Sequence, residues 1–84
     1  MTDKIREIIN SAVPGATTYV VSPDGTHFEA LVISPAFEGL SLVKQHQMVM
    51  RALKEAFAES VHALQLKTFT PQKWEAEKQS YSVE

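Results

Sequence analysis

The sequence predicts an α+β fold in the order α-β-β-α-α-β-α, with a mixed three-stranded sheet packed against helices. Three observations carry that prediction. Apolar residues recur at three- and four-residue intervals near the start and again after residue 41, and two β-branched, aromatic-containing runs flank a Pro-Asp-Gly-Thr turn. A third such run follows only after two helical segments. An excursion of that length suits a crossover, so the second and third strands are expected to run parallel beside an antiparallel hairpin.

Each element has a local cause. Thr2 or Asp3 is placed to cap a first helix whose apolar positions Ile5, Ile8, Ile9, Ala12 and Val13 form one stripe, and Pro14-Gly15 ends it. Residues Thr17 to Ser22 suit a strand, Pro23-Asp24-Gly25-Thr26 reverses the chain, and His27 to Ser34 returns as the second strand. Ser34-Pro35 breaks that strand, and a turn-rich connection with about one helical turn runs to Gly39.

Ser41 is a suitable N-cap for a long helix from Leu42 to Glu59, on which Val43, His46, Met50, Leu53 and Phe57 fall within one arc. That arc places His46 among apolar neighbours, where its ring is expected to pack inside and satisfy a backbone group. Val61 to Phe69 reads as the third strand, with Leu64 and Leu66 on one face and Gln65 and Lys67 on the other. Thr70 then caps a last helix, Pro71 takes its first position, and Phe69 is spaced to staple onto Trp74.

Length and composition bound the function. The 84 residues make a single domain spanning 1–84, and a chain of this size buries only roughly 60% of its unfolded surface, which leaves little room for a deep private active site. With 44% apolar and 21% charged residues, Gly 3 and Pro 4, the composition is that of an ordinary globular domain. No apolar run nears the ~18 residues that span a bilayer, and the start of the chain lacks the apolar core of a signal peptide. Cytoplasmic residence without membrane association is the expectation, as a monomer when alone.

The chain has no cysteine, so it forms no disulfide and cannot by itself hold an iron–sulfur cluster through thiolates. Any such cluster must borrow sulfur from a partner. Imidazole is the donor this chain can offer, since paired histidines replace paired cysteines on one iron in some [2Fe-2S] centres. If the second and third strands are parallel, His27 and His62 begin at the same end of the sheet, within a few strand spacings of ~4.8 Å. Read from the residues alone, His62 is either a ligand or a ring that bonds a neighbouring loop, and His27 is either a ligand or a solvated strand residue.

The string Phe37-Glu38-Gly39, Gln45-His46-Gln47-Met48-Val49, Val61-His62-Ala63-Leu64 and Thr70-Pro71-Gln72-Lys73-Trp74 resembles the BolA-like family. The resemblance runs from the first helix through Trp74, nearly the whole chain. It implies a fold similar to the second type of KH-like domain, and a non-enzymatic partner of monothiol glutaredoxins in iron–sulfur trafficking or iron sensing. The implied [2Fe-2S] cluster is shared: thiolates of the glutaredoxin and its glutathione bind one iron, and histidines of this chain help bind the other.

The same resemblance assigns the residues. The histidine of the His-Ala-Leu segment is the family's usual ligand, which selects His62. A second ligand, cysteine or histidine, stands in the loop between the first two strands; the cysteine position of many relatives falls at Asp24, and His27 precedes Phe28 as in relatives with Ser-His-Phe. His27 is thus the expected second ligand and Asp24 a turn former. Gln45-His46 departs from the family's Arg-His. Imidazole ligation also makes cluster release sensitive to acid.

A second class of function is nucleic-acid binding. Some BolA-like proteins are regarded as DNA-binding regulators that use a helix-turn-helix-like element at the position of residues 36–59, and Lys44, Arg51 and Lys54 form the one basic stripe there. A net charge of −2 and the nearby Glu55 argue instead for a solvated helix face. The Gly-x-x-Gly loop of nucleic-acid-clamping KH domains is missing, because Gly39 has no glycine three residues away. No Ser-His-Asp spacing, phosphate-binding glycine loop or common pocket for two carboxylates supports catalysis.

Overall fold

A computed structural model describes residues 2–22, 24, 27–57 and 64–80. Helix α1 (Thr2–Ala12) leads into strand β1 (Thr17–Val21) and strand β2 (Phe28–Ile33). A 3-10 turn (Pro35–Phe37) then precedes helix α2 (Leu42–Phe57), strand β3 (Leu64–Phe69) and helix α3 (Pro71–Glu77), which tightens into a second 3-10 turn at Lys78–Ser80. The expected order of elements is the observed one.

Parallel pairing follows from the crossover. The sheet order is β1-β2-β3, with β1 antiparallel to β2 (Thr17 opposite Ile33, Val21 opposite Glu29) and β2 parallel to β3 (Phe28 opposite Leu64, Ile33 opposite Phe69). Alternation along the strands then sorts side chains between two faces. On one face Ala30 and Val32 meet Ile5 and Ile9 of α1, Val13 just after it, and Val49 and Leu53 of α2, with Phe37 completing the core. On the other, Leu31, Ile33 and Phe69 are covered by Tyr19 and Trp74.

The caps are where local chemistry places them. Thr70 Oγ1 accepts from the Lys73 N–H at 3.3 Å, Pro71 opens α3, and the Phe69 ring lies 5.2 Å from that of Trp74, so the staple closes. Ser41 Oγ accepts from the Lys44 N–H at 3.2 Å and caps α2. Ser34 is fully buried: its hydroxyl donates to the Pro14 carbonyl at 2.6 Å and accepts from the Ala36 N–H at 3.0 Å. One small side chain thereby ties the end of α1 to the start of the crossover.

Three expectations are corrected. Helix α1 already includes Thr2, so neither Thr2 nor Asp3 precedes it as a cap; Asp3 sits in the first turn and accepts from Arg6 Nη2 at 2.9 Å. The inner row of α1 is Ile5, Ile9 and Val13, with Ile8 half-buried and Ala12 exposed. Exposure of a single methyl costs little, so the narrower row suffices.

The third correction concerns the rotation of α2. Val43 is 65% exposed and Leu42 58%, whereas Gln45 is only 7% exposed and begins the inner row Gln45, Val49, Leu53. His46 and Met50 are half-buried on its flank. The side chain of Phe57 and the residues expected to extend α2 and begin β3, 58–63, lie outside the described residues. Gln45 belongs inside because its amide is satisfied there: Nε2 donates to the carbonyls of Leu40 at 2.9 Å and Phe37 at 3.3 Å, and Oε1 accepts from the Thr68 hydroxyl at 2.6 Å. A periodicity of apolar residues cannot register a polar residue that owns a core position.

Candidate metal centre

The hairpin between β1 and β2 positions the first candidate ligand. His27 lies in the loop immediately before β2 rather than within the strand, since pairing begins at Phe28. Asp24 holds it twice. The carboxylate Oδ1 accepts from the His27 backbone N–H at 2.8 Å, and Oδ2 lies 2.7 Å from the ring Nδ1. Asp24 is thus the expected turn former, and its second oxygen also fixes the imidazole.

The tautomer follows from the partner. An ionised carboxylate only accepts hydrogen bonds, so the proton shared with it belongs to Nδ1, and the metal-binding lone pair of a neutral His27 is on Nε2. The His27 side chain is 75% exposed and that of Asp24 53%, so both face solvent at the rim of the sheet. An exposed imidazole held by a carboxylate suits one ligand of a metal completed by another molecule.

His62 lies outside the described residues. Parallel pairing does bring the neighbouring positions of both histidines together: Phe28, next to His27, is opposite Leu64, two residues after His62. Among the described residues no group of three or more His, Cys, Asp or Glu side chains converges as a complete metal site.

His46 is redrawn by the rotation of α2. Its ring is half-buried and lines an open groove with Leu42, Leu66, Phe69, Lys73 and Glu77. The inward position belongs instead to its neighbour Gln45, which bonds the carbonyls of Phe37 and Leu40. No sequence pattern separates these adjacent amide and imidazole groups, because the choice depends on Thr68 across the core.

The basic stripe is exposed but mixed. Lys44, Arg51 and Lys54 all face solvent, and Lys44 and Arg51 line a shallow groove together with Leu40, Met48 and Glu55. Lys54 lies off that wall, about 80° around the helix from Lys44. The Glu55 carboxylate, four residues after Arg51 on the same groove, weakens the local attraction for phosphate.

Comparison with known proteins shows the family. Residues 4–73 match the family model described as BolA-like protein. The chain belongs to the BolA-like family. This BolA-like chain is 40% identical over 55 residues to the acid stress protein IbaG of Escherichia coli strain K12, covering 64% of this chain and 66% of that protein. It is 34% identical over 55 residues to the DNA-binding transcriptional regulator BolA of Haemophilus influenzae, covering 66% of this chain and 53% of the regulator. The matched segment therefore spans about half to two thirds of these relatives. A bolA protein homologue from Coxiella burnetii has a similar structure, with a TM-score of 0.69, 38% identity, and coverage of 89% of this chain and 96% of that one.

These relatives bear the names of a stress protein and a regulator, and the BolA-like fold is the same α+β arrangement of helices on a mixed three-stranded sheet. No described helix of the BolA-like chain is long and apolar enough to cross a membrane.

Proposed function

We propose that this BolA-like domain docks on a monothiol glutaredoxin and shares a [2Fe-2S] cluster with it, for iron–sulfur trafficking or iron sensing. The observation that carries the proposal is the exposed His27 imidazole, fixed by Asp24 at the end of the sheet where β2 and β3 begin side by side. His62 is the proposed companion ligand. His62 precedes Leu64 by two residues in the chain, and Leu64 is paired with Phe28, the residue after His27.

The division of labour follows from composition. A chain without cysteine contributes neutral imidazoles, while the glutaredoxin and its glutathione contribute thiolates. The isolated domain accordingly binds no cluster, and assembly with the loaded partner creates the coordination. The direct test mixes the purified domain with cluster-loaded glutaredoxin and follows visible absorption and circular dichroism. Spectral change that persists unaltered in both His27→Ala and His62→Ala would remove the histidines from the ligand set.

A second reading is DNA binding through the segment 36–59, favoured by the name of the Haemophilus influenzae relative. It requires affinity that falls steeply with salt and collapses when Lys44, Arg51 and Lys54 become alanine. Absence of binding at low salt would eliminate it. The net charge of −2 and Glu55, which lines the same groove as Lys44 and Arg51, make glutaredoxin docking the better-supported function.

A further inference from the structure

We propose that Asp24 is a positioning residue for His27, holding its proton on Nδ1 and turning Nε2 toward the iron; this rests on the glutaredoxin reading above. The geometry is a carboxylate bonded through both oxygens to one residue: Oδ1 to the His27 backbone N–H at 2.8 Å and Oδ2 to ring Nδ1 at 2.7 Å. The first bond fixes where the residue stands. The second fixes which way its ring faces.

The His27 side chain is 75% exposed, and the bond from its ring to Asp24 Oδ2 restrains both of its side-chain torsions. Metal-bound histidines commonly donate their other ring N–H to a carboxylate, which selects the tautomer and makes the ligating nitrogen a better donor. Asp24 stands where the family resemblance expects a cysteine, so the loop has a second-sphere carboxylate at that place and an imidazole three residues later.

The near-isosteric Asp24→Asn variant separates the two bonds. Its amide oxygen still accepts from the His27 backbone N–H and preserves the turn, but its N–H₂ donates to Nδ1 and drives the ring proton to Nε2. Nitrogen-15 shifts of the His27 ring in the free domain read the tautomer directly, expected as Nδ1–H in the native protein and Nε2–H in the variant. Titration into cluster-loaded glutaredoxin, followed by visible circular dichroism, should show apparent affinity reduced about 10- to 100-fold.

A tautomer or an affinity unchanged by Asp24→Asn, in a preparation where His27→Ala is impaired, overturns the role of Asp24 and leaves the glutaredoxin reading standing. His27→Ala titrating like the native domain overturns both. Matching thermal unfolding of the three proteins confirms that the comparison concerns ligation, since both positions are exposed at the hairpin tip.

Discussion

The Thr68 hydroxyl donates to Gln45 Oε1 at 2.6 Å, joining the edge strand β3 to helix α2 through a polar pair sealed inside the core. Because Gln45 also serves the carbonyls of Phe37 and Leu40, one amide connects helix, strand and the turn that precedes the helix. Gln45→Ala removes the partner of all three groups. The expected loss is about 1–3 kcal/mol of unfolding free energy, measured by urea denaturation. A double-mutant cycle with Thr68→Val should give non-additive losses, and strictly additive ones would refute the coupling.

The Phe69 and Trp74 rings lie 5.2 Å apart and Tyr19 stacks on Trp74 at 6.0 Å, so α3 is held to the sheet by three aromatics. Trp74→Ala should cost the about 0.5–1.5 kcal/mol of ring pairing in addition to the lost apolar contact. Far-ultraviolet circular dichroism through a denaturant series checks this. A midpoint equal to that of the native domain would mean that α3 is not anchored here.

Gly39 has a φ of +82°, and a Cβ built there would meet nothing within 4 Å. Substitution therefore tests backbone strain without steric collision. Gly39→Ala should lower stability by about 1–2 kcal/mol, whereas Gly39→Asn, which tolerates the left-handed region better, should lose less. Equal losses for the two variants would point to some other cause.

His27→Ala should leave folding nearly untouched, within about 0.5 kcal/mol, because its side chain is 75% exposed. The same variant should diminish the spectral change on mixing with cluster-loaded glutaredoxin. Equilibrium unfolding and visible circular dichroism on one preparation separate the effects, and an unfolded variant would show that the loop histidine belongs to the fold instead.

Much of what depends on chain neighbours was legible in the residues themselves. The Thr70-Pro71 helix start and its Phe69–Trp74 staple, the Ser41 cap, the Gly39 turn and the parallel pairing of β2 with β3 all emerge from spacing, caps and crossover length. His27 could be singled out as a loop imidazole and Asp24 as a turn former. Their mutual bond could not, because sequence spacing of three leaves many loop conformations, of which few bring a carboxylate onto Nδ1.

By itself, then, the sequence determined the element order, the Gly39 turn and the lack of any thiolate donor, since these follow from short-range sterics, hydrogen-bonding capacity and the absence of cysteine. Tertiary structure alone decided the rotation of α2, where a glutamine displaces Val43 from the interior, and the orientation of the His27 ring. The physical reason is common to both: a polar group's place depends on partners that only folding brings within hydrogen-bond reach.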